Sequence, residues 1–411
     1  MHAKTFAVLI VISVLPSLLI PAAAPRVNAA ELAVGARAQY HSLSAAIRAA
    51  NVGDTVLVGP GAYVETVLVD KPLTIVATSG PKATTVKSTG PGKDVFTLIG
   101  ENIKVQGFTI TGGNHGVVFA KTSNSTLSGC IVKGNIYGVY LMGATANLVS
   151  NNNLDGNGFG MYLDGSRGNK LVSNSARYEK GGGGKASLSD GIYMHSSNAN
   201  NVTRCDLSND DNFGASLYAS KNNVFSHNTL SSNEQFGVRL IDGSDNNRFV
   251  HNTFSANLES GVLIGSSAGN TFYFNNFLQE RSHFYSQVNN NINSTREIDY
   301  TYSGKPFSGF FGNYYSDYVG TDTDGNGIGS PSFGRDKFPL IKPTKNYLEG
   351  HPTPTPSPSV PSETSSTREN VTTASQSTQP TALFGFAFIA ALGLLAAALV
   401  FGVAYRLKAG R

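Results

Sequence analysis

NNVFSHNTLSSNEQFGVRLIDGSD (222–245) runs directly into NNRFVHNTFSANLESGVLIGSSAG (246–269), and the second stretch nearly copies the first. The pair belongs to a longer series. A Gly followed by apolar residues recurs at 116, 138, 160, 191, 214, 237 and 261, with steps of 22, 22, 31, 23, 23 and 24. A second column runs through Val105, Leu127, Val149, Leu171, Val202, Phe225, Phe249 and Phe272. Three residues further on lies a third: Phe108, Cys130, Asn152, Asn174, Cys205, Asn228, Asn252 and Asn275. Internal repetition of this length decides a fold before any local propensity does.

Within each repeat the apolar residues alternate, as in GVYL (138–141), GMYL (160–163) and GIYM (191–194). A period of two is a strand signal, and no helical period competes with it. Short strands punctuated by Gly and Asn and repeated every turn predict an all-β, right-handed parallel β-helix, each coil adding one strand spacing of ~4.8 Å. Alternation then sorts the side chains. Val139/Leu141, Met161/Leu163, Ile192/Met194, Val238/Leu240 and Val262/Ile264 should point inward. The Asn column should point inward at a bend, where stacked amides can bond from coil to coil. Cys130 and Cys205 share that column three coils apart, about 14 Å at ~4.8 Å per coil, which is too far for a disulfide. They are expected as buried free thiols.

The ends need covers. SLSAAIRAA (42–50) places Leu43, Ala46, Ile47 and Ala50 on one helical face and is expected to cap the start; the cap is drawn at 40–77 and includes the first strands, from residue 53. A closing segment is expected at 311–343, and the β-helix domain as a whole at 30–343. Residues 1–29 read as an export signal: Lys4, then FAVLIVISVLPSLLI, then a cut after Ala29. Residues 344–380 read as a Pro/Ser/Thr stalk. Residues 381–405 form an uncharged apolar run long enough for a transmembrane helix, and 406–411 a short tail bearing Arg406, Lys408 and Arg411, which places the large domain outside the membrane. A net charge of +4 without a basic run excludes nucleic acid as a partner.

SLSAAIRAANVGDTVLVGPGAYVETVLVDKPLTI (42–75), the NNxFxHNTxSxN…GVxL units and FGNYYSDYVGTDTDGNGIGSPSFGRDKFPLIKP (311–343) resemble the NosD-like β-helix proteins of the pectin-lyase-like class, in particular archaeal surface members. The resemblance spans roughly residues 40–343. It departs at Tyr315, where the family usually has Trp, and at Ser330, where it has Asp. It implies an exported β-helix concerned either with surface polysaccharide or with copper delivery.

Sites follow from the columns. Outward residues in successive coils become neighbours: Tyr140, Tyr162 and Tyr193, continuing through Ser216 to Arg239, and beside them Met142, Asp164, His195, Tyr218 and Ile241. Exposed aromatics stack on sugar rings while acids, imidazoles and guanidinium groups bond hydroxyls or carboxylates. Tyr140, Tyr162, Tyr193 and Tyr218 are therefore candidate sugar-binding residues. Asp164, His195 and Arg239 are candidate catalytic residues for a lyase, epimerase or hydrolase. The insert at 181–189 should project beside His195. Packing of the tyrosines against one another is the competing reading of the same column.

His227 and His251, one coil apart, could share copper. Asp322, Asp324 and Asn326 in DTDGNG could hold a structural calcium ion or form a plain turn. No organic cofactor is implied. Lys133, Asp155 and Arg177 read as an ion-pair ladder. Asn124, Asn201, Asn293 and Asn370 head glycosylation sequons. The expected function is that of a membrane-tethered extracytoplasmic protein that binds, and in one version processes, polysaccharide or glycoconjugate. The alternatives are a copper-binding maturation accessory and a structural envelope or adhesion protein.

Overall fold

A computed structural model describes residues 29–180, 189–286 and 288–350. The expected export signal, most of the insert at 181–189, the stalk beyond residue 350, Asn370 and the expected membrane segment lie outside the described residues. Among the described residues no helix is long and apolar enough to cross a membrane.

The chain winds into a parallel β-solenoid of about eleven turns. One wall is an eleven-stranded sheet running from Glu31–Val34 to Thr271–Tyr273, and a second is a ten-stranded sheet running from Val67–Val69 to Phe284–Ser286. The third wall is two four-stranded sheets, joined across the middle coils by isolated bridges at Asn153, Ser175 and Asp206. Each neighbour in these walls pairs in parallel with the corresponding strand of the next coil. The predicted inward residues, Val139 to Ile264, are all fully buried. Inside, Phe225, Phe249 and Phe272 stack at 4.9 and 4.7 Å, one ring per coil.

Amides bind the coils at the bends. Asn228 Nδ2 donates to Asn252 Oδ1 at 3.0 Å and to the Val202 carbonyl at 3.0 Å, and its Oδ1 accepts the Cys205 amide at 2.8 Å. This column ends at Asn313. Two further ladders exist. One runs Asn147, Asn169, Asn200, Asn223, Asn247 and Asn270. The other runs Asn135, Asn157, Glu179, Asp210, Asn233 and Asn257, with two carboxyl groups among the amides. Ser166, Ser197, Ser220, Ser244 and Ser267 form a hydroxyl column of the same kind. The glycines of the repeat are needed for close approach: a Cβ at Gly214 would lie 2.7 Å from the Leu207 carbonyl oxygen and 2.8 Å from that of Gly237.

The start is covered as expected by a helix, Leu43–Ala49, with Leu43, Ala46 and Ile47 buried. Ser42 caps it, and Glu65 accepts the Leu43 and Ser44 amides at 2.9 and 3.0 Å, placing a carboxylate at the positive end of the helix. The first strand begins at Glu31, ahead of the expected start at 53, and pairs with Thr55–Val58. At the far end an antiparallel sheet of Ile298–Tyr302, Lys305–Gly309 and Tyr347–Glu349 forms the cover. Tyr347 is buried, so the domain continues past the expected boundary at 343 and takes in residues assigned to the stalk. Cys130 and Cys205 are buried free thiols, pushed up to about 11 by burial.

Candidate functional site

The ten-stranded sheet positions the candidate face. Tyr137–Met142, Phe159–Asp164, Ile192–His195, Ala215–Tyr218 and Phe236–Ile241 pair so that Tyr140, Tyr162, Tyr193, Ser216 and Arg239 stand in register. Met142, Asp164, His195, Tyr218 and Ile241 form the parallel row. Tyr140 and Tyr162 meet edge to face at 5.3 Å, and Tyr162 and Tyr193 stack at 4.8 Å. Burial, reinforced by neighbouring hydroxyls and Asp164, raises the Tyr162 hydroxyl well above its ordinary range. The rings are half-buried, so packing between tyrosines and an exposed platform coexist.

A row missed in the sequence lies just before the glycines: His115, Tyr137, Phe159, Asp190, Phe213 and Phe236. His115 stacks on Tyr137 and Tyr140 at 4.9 Å, and Tyr137 stacks on Phe159 at 5.3 Å. The platform is therefore two rows wide. The signal was available, since each of these residues precedes a repeat glycine.

Asp164 and His195 come together, with Oδ1 to Nδ1 at 2.7 Å, and the Tyr140 hydroxyl donates to Asp164 at 3.4 Å. Arg239 does not join them. Its Nε donates to Ser216 Oγ at 2.9 Å and its guanidinium lies 4.1 Å over the Phe213 ring. Tyr218 instead tilts against His195 at 5.4 Å.

Asp190 is fully buried in the aromatic row, with the Phe213 amide and the Asn212 side chain near it but neither carboxyl oxygen in a well-formed hydrogen bond. Burial pushes it up to about 8, against the pull of the Arg239 charge and the nearby Phe213 and Asn212 groups. Glu179 and Asp210, in the third ladder, are likewise raised well above the carboxylate range, first by burial and then by neighbouring acids. Each keeps one oxygen without a partner, Glu179 Oε1 and Asp210 Oδ2. An acid at an Asn position of a 22-residue repeat was the signal for these two.

The other candidate sites resolve differently. His227 and His251 stack at 4.6 Å with ring planes 18° apart, which sends their in-plane lone pairs side by side instead of toward one point. His251 Nε2 is 3.0 Å from Glu349 Oε1, and burial with the neighbouring imidazole lowers His227. Both occupy a corner column with left-handed backbone, φ 58° and 57°, a position that histidine tolerates better than most residues.

In DTDGNG, Asp322 accepts the Asn326 and Gly327 amides at 3.0 and 2.8 Å, and Asn326 Oδ1 accepts the Ile328 amide at 2.8 Å. The loop thus closes as a hydrogen-bonded turn, with Asp324 meeting, among the described residues, Thr323. The charge ladder runs Asp155–Arg177–Asp206, at 2.9 and 3.5 Å, and omits Lys133. Asn124 and Asn201 are exposed; Asn293 instead donates to buried Asp336 at 2.8 Å, so a glycan there would break that bond.

The stacked parallel sheets define a right-handed parallel β-helix. A likeness in fold extends to the crystal structure of alginate lyase from Paenibacillus sp. str. FPU-7, at 14% identity and TM-score 0.51, covering 64% of this chain and 99% of that one. Pectate lyase Pel9A aligns at 16% identity and TM-score 0.41, over 64% and 79% of the two chains. A family profile described as "Periplasmic copper-binding protein (NosD)" matches residues 48–186, 105–260 and 185–320. The chain belongs to the NosD family. A cell surface glycoprotein of Methanothermus fervidus is 32% identical over 76 residues, which span 18% of this chain and 12% of that protein.

The family description names copper, and the described residues do not fit it. The stacked imidazoles do not converge on one point, both thiols are sealed in the core, and Met161 and Met194 are core residues. Met142 is exposed, but its strand partners are Ala120 and Asp164. Among the described residues no three His, Cys, Asp or Glu are arranged to hold a metal. Copper titrations of the full-length chain and of the His227→Ala/His251→Ala variant should therefore superimpose. A stoichiometric site lost in the variant would reinstate the copper reading.

Proposed function

We propose that this protein is an extracytoplasmic, membrane-tethered glycan-binding β-helix whose binding surface is the aromatic face of the ten-stranded sheet. One observation carries the reading. His115, Tyr137, Tyr140, Phe159, Tyr162 and Tyr193 form a continuous array of half-buried rings along the helix axis, flanked by the Asp164–His195 pair. Rings fixed on a rigid sheet lose little entropy when a sugar stacks on them, and the flanking polar pair can bond hydroxyls. The cell surface glycoprotein relative accords with a place outside the cell. The alginate lyase likeness supports the fold, and the choice of ligand rests on this chain's own face.

The test is polysaccharide binding by the full-length chain. Tyr162→Ala with Tyr193→Ala should weaken it at least tenfold, since about 1.4 kcal/mol of lost stacking already gives a factor of ten. Tyr162→Phe with Tyr193→Phe keeps the rings and should stay near wild type. Equal binding by the alanine variant would refute this surface, and no binding by wild type would leave an envelope scaffold as the reading.

A second reading, cleavage, is favoured by one distance, the 2.7 Å from Asp164 to His195, which orients an imidazole as a base. It predicts unsaturated sugar ends, detected by ultraviolet absorbance, that disappear in His195→Ala.

A further inference from the structure

We propose that Arg281 joins two pockets at the C-terminal end of the ten-stranded sheet into a subsite for an acidic sugar ring. The proposal rests on the glycan-binding reading above and names the substrate class for it.

The first pocket, about 450 Å³, is walled by Phe236, Leu263 and Tyr285 with Glu259 at its edge. The second, about 460 Å³, holds His283, Asp317, Phe333 and Arg335. Both volumes fall in the ~300–1,000 Å³ range of small-ligand sites. Arg281 lines both.

The first pocket continues the platform. Arg239 pairs with Leu263, and Leu263 with Tyr285, in the column that began at Tyr140. Tyr140 and Tyr285 stand six strand steps apart, about 29 Å at ~4.8 Å per step. Tyr285 is 57% exposed on a paired strand, an aromatic surface that core packing does not use.

The charges identify the ligand. Among the described residues the Arg281 side chain enters no ion pair or hydrogen bond, and neither does that of Glu259 at the edge of the first pocket; the polar groups of the second pocket are largely committed. His283 Nε2 is held 3.2 Å from Asp317, with its ring against Tyr315 at 4.8 Å and Phe333 at 5.5 Å. Arg335 donates to the Ser286 and Val288 carbonyls at 3.4 Å. Buried Asp336 accepts from Asn293, Asn313, Tyr315 and Phe338. Glu280, on the neighbouring position, accepts from Asn257 at 2.7 Å through one oxygen and keeps the other buried without a partner. What the hollows offer a ligand is the uncommitted Arg281 guanidinium, the aromatic wall of Phe236 and Tyr285 in the first, and in the more polar second an imidazole–carboxylate pair able to bond hydroxyls. That set matches a pyranose ring bearing a carboxylate or a sulfate.

The experiment compares a polyuronate, its carboxyl-reduced counterpart and a sulfated polysaccharide on the full-length chain. Wild type should bind the polyuronate at least tenfold more tightly than the reduced polymer. Arg281→Ala should weaken polyuronate binding about tenfold, leave the reduced polymer within twofold, and lose less when Lys replaces Arg. An equal loss on the sulfated polymer assigns the subsite to acidic sugars of either kind, and a loss confined to the polyuronate assigns it to carboxylates. Polyuronate affinity within twofold of wild type in Arg281→Ala overturns the subsite. If the tyrosine variant loses binding in that case, the aromatic face stands without it. If Arg281→Ala loses binding and the tyrosine variant does not, the subsite stands and the aromatic face falls. Arg281 makes no bond that the fold needs, so misfolding does not confound the variant.

Discussion

Replacing Glu179 with Gln and Asp210 with Asn will raise the melting temperature at pH 8 and flatten its dependence on pH. The physical reason lies in the third ladder. At each amide position Oδ1 accepts a backbone N–H from the preceding coil while Nδ2 donates, as Asn233 does to the Leu207 carbonyl and to Asn257. Glu179 and Asp210 supply the acceptor half, taking the Asn157 and Glu179 amides at 2.6 and 3.1 Å. Their second oxygens find no donor. A proton there turns each into a donor and restores the amide pattern, in agreement with their raised pKa values. Folding therefore takes up protons that the unfolded chain releases near pH 4, its ordinary carboxylate range. The stabilisation is complete below about pH 4 and is lost as the pH rises through the folded-state values; Asp190, at about 8, marks the upper part of that window. Above their folded-state values each acid imposes the cost of an ionised carboxylate in the core, or of a proton the unfolded chain has already released. The three acids are coupled, so the costs will not add. Thermal melts between pH 4 and 8 decide the matter. A wild-type melting temperature that rises with pH, or an amide variant no more stable than wild type at pH 8, would show that these carboxyls are ionised in the fold.

Asn228→Ala should lower the melting temperature by about 6–10 °C, from a loss of ~3–5 kcal/mol. The substitution leaves the Cys205 amide unpaired in the core, at about 1–3 kcal/mol, and removes the side-chain bonds to the Val202 carbonyl and to Asn252, at ~1 kcal/mol each. Asn228→Asp is the sharper probe. It puts a second oxygen against the Val202 carbonyl and Asn252 Oδ1, and so should destabilise strongly at pH 8 and little at pH 4. Asn201→Ala, at an exposed position, serves as the control. A shift at Asn228 no larger than at Asn201 would mean that the ladder contributes little to stability.

The solenoid was legible because its cause is periodic. One residue in every 22 to 24, with a single step of 31 at the insert, meets the same neighbours, so a column such as Val105 to Phe272 betrays both the winding and the inward face. The tyrosine and Asp164–His195 rows follow from that register. What the columns could not show is direction. Arg239 shares its row with Tyr193, yet its guanidinium turns back onto Ser216 and Phe213, because an arginine stem reaches several ångströms in directions that spacing does not encode. His227 and His251 were correctly paired as neighbours, but stacking instead of convergence depends on a left-handed corner that only φ reveals. The acids of the third ladder stand at Asn positions of a column through Asn135 and Asn157, parallel to the one that holds Asn152 and Asn174, and spacing alone marks them. The C-terminal cover was placed too early because Tyr347–Glu349 pairs with distant Ile298–Tyr302 and obeys no repeat.

The three amide ladders also make the coil a unit of inheritance. Each coil offers the next the same acceptors and donors, so a segment copied whole slots between its neighbours without a new core having to be invented, whereas a fragment of a coil would leave amides facing the wrong partners. The near-copy at 222–245 and 246–269 has the form such a duplication would leave. Gain or loss of one coil would change the length of the aromatic face by a single fixed increment, ~4.8 Å. A lineage carrying this scaffold could thus adjust how long a polymer it grips in whole steps, much as a ruler is cut only at its marks.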